Sequence, residues 1–386
     1  TDGSDRDGTI LRKYIHRFLM IRSILSENDD PEALMKRLIS DMAGYSCLDQ
    51  YMDMEGIEEI NINSWDCISV NVKGYYRRIP ETFYSPQHCI DIIKRMLQHS
   101  KTIIDDSIPI AVAELREGVR IAAAKTPVMD EADGMSASIR FVNTSIISEE
   151  HLLAHGSATL EMIEFLEFCI RYSVSVIIAG RTGSGKTTIG NWIIQKIAKN
   201  KRIVTLEEGS RELNLKEVDD TGRVINDVVH MKANSAVSLN HLLQHDMRYH
   251  PFVLFVGEMR SDEAFIAMSA AETGHVVVST IHTNDAISTP ERMATISQTA
   301  ANLDYDTLMR KAVGGFPITV YVNQLEDGSR RIMEIMENIS YTAGNGVEAR
   351  SIYRFEVEDN VIQPDGSIKV IGEHRLGSPS AHKLMG

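Results

Sequence analysis

The chain has 386 residues, 43% of them hydrophobic and 24% charged, which is enough for two or three globular domains. Its formal net charge is −14 and only 6% of its residues are aromatic, so neither a phosphate-neutralising nor a base-stacking surface is advertised, and general nucleic-acid binding is disfavoured. Cys47, Cys67, Cys89 and Cys169 are scattered with no C-x-x-C pair, which argues against a zinc site or disulfide framework and suits a reducing cytoplasm.

Residues 1–8 are polar, lack the basic-then-apolar order of a signal peptide and lack Met, so they read as the start of a trimmed chain. No apolar run approaches the ~20 residues that span a bilayer, so membrane attachment is expected to run through partners. Ile10 to Leu25 mixes apolar spacings of three and four, and a similar stretch follows Asp30-Pro31-Glu32. Asp30 can cap and Pro31 suits a first helical turn. Both stretches read as helices of an N-terminal extension over residues 1–50, with packing as their plainest role.

From Gly56 the apolar period changes to two, through Ile60 and Ile62 to Ile68 and Val70, and Lys73-Gly74 turns the chain into Tyr75 to Ile79. A helix over Pro86 to Gln98 and strands over Gly118 to Ala123 and Met135 to Val142 complete an α+β domain expected at 51–145. Residues 146–160 read as a linker. From Leu160 helices and apolar, β-branched strands alternate: helix Leu160 to Tyr172, strand Ser173 to Ala179, helix Lys186 to Asn200, then strands Arg202 to Leu206, Val253 to Val256 and Val276 to Ile281. Such runs fit a parallel sheet covered on both faces, an α/β domain over 161–386. Its last part, Ile318 to Ile335 and Ile352 to Ile371, is strand-rich, with turns at Asp327-Gly328 and Asp365-Gly366.

The sequence GRTGSGKTT at 180–188 follows an apolar strand and precedes a helix, the context that gives the G-x-x-x-x-G-K-[ST] pattern its meaning. Gly180, Thr182, Gly183, Ser184, Gly185 and Thr188 supply a loop whose amides can face an anion at the positive end of a helix. Lys186 would reach the β- and γ-phosphates of ATP, and the Thr187 hydroxyl would hold Mg²⁺. Val253 to Val256 is followed by Gly257-Glu258, so Glu258 is the candidate general base where many such enzymes have Asp first. Glu207-Glu208 ends another strand and His282 a third. In a parallel sheet these ends share one rim, so Glu207, Glu208 and Glu258 are expected to ring one Mg-phosphate, with His282 sensing the γ-phosphate.

Four segments, GRTGSGKTT, IVTLEEGSREL, RYHPFVLFVGEMR and TGHVVVSTIHTNDA, resemble in order the Walker A, Asp box, atypical Walker B and His box of the type II/type IV secretion and pilus-assembly traffic ATPases. IEEININSWDCISVNVKGYYRRI, IDDSIPIAVAELREGVRIAAA and MSASIRF resemble that family's N-terminal domain. LEDGSRRIMEI and the closing YRFEVED and DGSIKVIGEHR look like the tight-adherence (Tad/Flp, CpaF-like) branch. The resemblance covers about residues 55 to 375. It implies a RecA-like phosphate-loop ATPase domain with a smaller α+β, PAS-like N-terminal domain, a helical N-terminal extension and a strand-rich C-terminal segment. It further implies a homohexamer driving a polytopic inner-membrane platform from the cytoplasm, with no direct nucleic acid. Arg120 and Arg140, matching its G-x-R and S-I-R arginines, would touch the terminal phosphates from a neighbouring subunit. Arg116 ranks lower, and Arg248 and Arg260 flank the Walker B strand. Two departures stand out: Glu208 where Asp is usual, and Phe252 where Asp usually follows Pro.

Beside the leading reading, an ATP hydrolase powering pilus assembly or secretion, stand a conjugation or type IV secretion ATPase, a nucleic-acid translocase, and a nucleotide-gated scaffold. A translocase would need a basic channel and steep salt dependence. Intact Lys186, Thr187 and Glu258 argue against the scaffold.

Overall fold

The computed structural model describes residues 9–22, 31–116, 118–141, 147–208, 211–234, 236–364 and 366–377. Residues 1–8, Leu25, Asp30, Val142, Ile146 and Asp365, which carry expectations stated above, lie outside that set. The chain forms two compact units, Thr1–Asn143 and Thr144–Gly386.

The first unit opens with helices α1 (Thr9–Arg22), α2 (Pro31–Ala43) and the short α3 (Asp49–Met52). Strands β1 (Ile57–Ser64), β2 (Cys67–Val72) and β3 (Tyr75–Arg78) precede helix α4 (Pro86–His99), and β4 (Ile110–Arg116), β5 (Val119–Lys125) and β6 (Met135–Phe141) follow it. The six strands pair in the order β3-β2-β1-β6-β5-β4. Alternation puts Ile60, Ile62, Ile68 and Val70 on one face, where they pack with Cys89, Ile92, Ile93 and Met96 of α4. Ser85 starts α4 by accepting from the His88 amide at 3.1 Å, with Pro86 in the first turn.

In the second unit the order is α5 (Glu149–Ala154), α6 (Leu160–Arg171), β7 (Val176–Gly180), α7 (Lys186–Gln195), β8 (Ile203–Glu208), β9 (Val228–Ala233), α8 (Leu239–Asp246), β10 (Val253–Met259), α9 (Glu263–Glu272), β11 (Val276–Ile281), α10 (Thr289–Ser297) and α11 (Tyr305–Gly315). It ends in β12 (Ile318–Gln324), β13 (Arg330–Thr342), β14 (Gly346–Ile362) and β15 (Ile368–Leu376). One nine-stranded sheet runs β15-β14-β13-β12-β7-β11-β10-β8-β9. From β12 to β9 the neighbours are parallel, and β13 to β15 are added antiparallel. Both faces of the parallel part are buried. Ile178, Phe255 and Val278 pack with Leu166 and Trp192 on one side. Ile177, Leu254 and Val277 pack with Ala267, Met293 and Leu308 on the other.

Several expectations shift. The linker carries α5, started by Ser148, whose hydroxyl accepts from the His151 amide. The helix after the phosphate loop ends at Gln195 rather than near Asn200. β10 continues through Gly257 and Glu258 to Met259, with a register shift against β11 between Val256 and Met259. β4, β9 and α8 to α11 were not expected at all.

Helix α7 lies so close to β10 that a Cβ on Gly190 would stand 2.8 Å from the Phe255 ring. Gly190→Val is therefore expected to cost about 1–3 kcal/mol through overpacking, read as a lowered thermal midpoint of the second unit.

Candidate nucleotide site

Strand β7 lies between β11 and β12 in the sheet, and its carboxyl end opens directly into the loop Arg181–Gly185 before α7 begins at Lys186. Two glycines are required by geometry. A Cβ on Gly180 would stand 2.1 Å from the Val322 carbonyl oxygen. Gly185, next to the first residue of α7, has φ +95, a left-handed conformation that costs other residues energy. The loop thus brings a helix N-terminus and its unpaired amides to the strand end, which favours an anion. Thr182 is exposed, Thr187 and Thr188 are half-buried, and the Ser184 hydroxyl is buried without a hydrogen-bond partner.

Lys186 is 8% exposed. Its ammonium donates to the carbonyls of Gly180 at 3.1 Å and Arg181 at 3.0 Å and to His282 Nδ1 at 3.2 Å. The other ring nitrogen of His282, Nε2, lies 2.9 Å from Glu258 Oε1. These partners assign the Nε2–H tautomer to His282, accepting from the lysine and donating to the carboxylate. Glu258 Oε2 in turn accepts from Arg260 Nη2 at 2.6 Å. Burial alone would raise the carboxyl of Glu258, but the bonds from His282 and Arg260 outweigh it and hold its pKa down at about 2. Glu258 sits within the irregular stretch of β10, and such bulges re-aim a side chain. Thr280 Oγ1 donates to the Gly257 carbonyl at 2.7 Å, tying β11 to that stretch. A side chain at 257 would meet the Leu206 carbonyl at 3.2 Å and crowd Glu207, which accounts for the glycine.

The structure thus brings the phosphate loop, Glu258 and His282 to one rim. It gives Glu207 a local task. Its Oε1 accepts from the amides of Glu212 at 2.6 Å and Leu213 at 3.0 Å, and the side chain is buried. Glu208, by contrast, is exposed at the end of β8. His275 lies before β11, away from the end that carries His282. Phe252, the second departure, packs against the core and takes Lys201 over its ring at 4.7 Å.

In the first unit Arg120 and Arg140, twenty positions apart in sequence, are directly opposed on β5 and β6. Their row continues to Glu114 on one side and to Glu59, Asn71 and Tyr76 on the other. Glu59 accepts from Tyr76 and Ser138, both at 2.7 Å. Arg116 is engaged elsewhere, on the Met52 carbonyl and Asp53.

Sequence reasoning missed the contact of His282 with Lys186 and a cleft of about 590 Å³ beside the loop, lined by Arg181, Thr182, His282, Thr283 and, from α10, Glu291 and Arg292. The signal that could have found α10 is its start, Ser288-Thr289-Pro290-Glu291, with Pro in the first turn. Among the described residues no group of three or more His, Cys, Asp or Glu is placed to hold a metal alone. Thr187, half-buried in the first turn of α7, offers a hydroxyl beside the loop, a donor that suits an ion shared with substrate oxygens.

Fold and site together define a RecA-like phosphate-loop protein. The type II/IV secretion system protein family matches residues 87–310, more than half of the chain, and the chain belongs to that superfamily of traffic ATPases. The type IV secretion system protein VirB11 of Bartonella quintana is 24% identical over 323 residues, covering 74% of this chain and 89% of VirB11. An uncharacterized protein of Methanocaldococcus jannaschii is 29% identical over 270 residues, 69% of this chain, which spans only 47% of that relative's length. The ATPase DotB of Legionella pneumophila superposes with a TM-score of 0.54 at 18% identity, covering 81% of this chain and 83% of DotB, a likeness of fold.

Burial raises the Glu207 carboxyl from its ordinary 4.5 to about 7, despite its two amide bonds. The folded chain therefore holds this proton more tightly, and stability falls as pH rises from about 4.5 through about 7. Glu207→Gln, neutral and still an acceptor, is expected to stabilise by about 1–3 kcal/mol at pH 8 and by almost nothing at about pH 4 in thermal melts.

Proposed function

We propose that this protein is an Mg²⁺-dependent ATP hydrolase working as a homohexameric motor for pilus assembly or protein secretion. The observation that carries the reading is the contact chain Lys186–His282–Glu258, which links the phosphate-binding lysine to the candidate base through one imidazole. Lys186 and the loop amides bind the phosphates. Thr187 would hold Mg²⁺, and the chemistry the ion supplies is neutralisation of charge on the β- and γ-phosphate oxygens. Glu258 orients the attacking water. At a pKa of about 2 it is a weak base, so its hold by Arg260 and His282 has to loosen for turnover. Movement of Lys186 from His282 to a phosphate offers one such release, and makes His282 the sensor of occupancy.

Residues 51–145 act in this reading as the N-terminal domain, 146–160 as the linker and 161–386 as the motor domain. Arg120 and Arg140 would stabilise charge on the terminal phosphates of a neighbouring subunit's ATP, an interaction made only on closure. Their placement side by side on one row supports a joint role. The platform is a polytopic inner-membrane protein, reached from the cytoplasmic side. No helix among the described residues is long and apolar enough to cross a membrane, which favours attachment through partners. LEDGSRRIMEI and the strands it opens favour the Tad/Flp branch. Likeness to VirB11 over most of that protein supports type IV secretion as the second reading.

Glu258→Gln is expected to bind ATP normally and lose about 10²–10⁴-fold in kcat. Hydrolysis at the wild-type rate would remove Glu258 as the base. Arg140→Ala is expected to lower turnover at unchanged nucleotide affinity, and undiminished turnover of the assembled ring would sink its role.

A further inference from the structure

Strand β13 reaches the phosphate loop from the antiparallel side of the sheet. Arg330, its first residue, donates from Nε to the Gly183 carbonyl at 2.9 Å. Its Cδ lies 3.5 Å from where a Cβ of Gly185 would stand. The backbone beneath it is anchored. Ser157 Oγ donates to the Arg330 carbonyl at 2.7 Å, and the Ile332 amide donates to the Ser157 carbonyl at 2.8 Å. Arg331 Nη1 donates to the Gly156 carbonyl at 2.8 Å, with its guanidinium 4.9 Å from the Phe355 ring centre. Arg330 also pairs with Gln324 across the ladder. A guanidinium that touches the loop is thus mounted on a fixed strand.

We propose that Arg330 is a positioning residue for the phosphate loop, holding the Gly183–Ser184 peptide in the turn that shapes the loop. The role rests on the nucleotide reading above. In a trans peptide the carbonyl and the following N–H point in opposite directions, so fixing the Gly183 oxygen fixes the plane of the whole group. The other end of that peptide is held by a longer bond, from the Ser184 amide to the Arg181 carbonyl at 3.3 Å. The φ of Gly183 is +77, and no atom beyond its chain neighbours lies within 4 Å of where a Cβ would stand. A glycine with open space about it is easily turned, and a turned peptide would lose both bonds and reshape the loop. Arg330 blocks that rotation and adds a positive charge beside an anion site. Loop and phosphates are in contact before and during hydrolysis, so the effect is on uniform binding: it lowers KM and leaves kcat.

The full-length chain is tested by steady-state ATPase assays and by titration with the fluorescent nucleotide mant-ADP. R330A is expected to raise KM for ATP and Kd for mant-ADP about tenfold, with kcat within about twofold of wild type. KM and Kd both within about twofold of wild type overturn the proposal, as does a lowered thermal midpoint with unmoved KM, the sign of mere packing. Should R330A not fold, R330Q carries the same test, with a raised KM expected and a wild-type KM overturning it. K186A, expected to lose mant-ADP binding, is the reference for a broken site. A wild-type chain that binds no mant-ADP overturns the nucleotide reading itself, and this role with it.

Discussion

The arrangement of the second unit depends on a buried ammonium. Lys186 is 8% exposed, and removing a charged amine from water is costly unless acceptors surround it. Two of those acceptors, the carbonyls of Gly180 and Arg181, come from the loop that Lys186 itself closes, and another is His282 at the end of β11. Because β11 and β7 are parallel neighbours, their carboxyl ends arrive at the same rim, and the imidazole needs no long excursion to meet the lysine. Its second nitrogen then meets Glu258 on β10, the next strand over. One charge thereby fixes the loop, the histidine tautomer and, through it, one oxygen of the carboxylate.

The first unit solves a different electrostatic problem. Two arginines directly opposed on neighbouring antiparallel strands repel each other. Here the pair is bracketed by Glu59 and Glu114 on the same row, so the sequence of charges across the sheet is acid, base, base, acid. Glu59 is itself held by Tyr76 and Ser138, and these hydrogen bonds, against burial, lower its pKa and keep it ionised. The row lies on the face opposite α4, beside the small residues Ala122 and Ser138. Two guanidiniums are thus concentrated locally in a chain whose overall charge is −14.

The phosphate loop, the apolar runs of β8, β10 and β11, and the meeting of Glu258 with His282 on one rim differ in how openly the sequence states them. The loop is local: glycines, lysine and threonine at fixed spacing between a strand and a helix say what it is. The rim follows from strand direction, so Glu258 and His282 could be placed together, though not the hydrogen bonds that join them to Lys186. β4 was illegible because its buried positions are Ala111 and Ala113, while the larger Ile110 and Val112 are 60% and 65% exposed. Size and burial run opposite to the usual signal there. α9, EAFIAMSAAE, is covered on so many sides that its apolar residues show no helical stripe. Arg330 was illegible for another reason: its partner is 147 positions away, and a salt-bridging surface arginine would look the same in sequence.

The two glutamates of the LEEGS segment divide their work, one inward and one toward Arg260. Glu207 turns inward and fixes the amides of Glu212 and Leu213, which holds the following loop against the end of β8. Glu208 stays exposed, and together with Glu212 it acts on the Arg260 guanidinium, which is bonded first to Glu258. Arg260 therefore lies in the field of three carboxylates, and its backbone is pinned separately by Glu263 at the start of α9. With the backbone fixed, only the side chain can shift. A guanidinium leaving Glu258 does not become stranded, because Glu208 and Glu212 already attract it. Loss of that bond removes one of the two partners that hold the Glu258 carboxyl down, while the bond from His282 remains. Glu208, where Asp is usual, thus adds a carboxylate to the field around the guanidinium that holds Glu258.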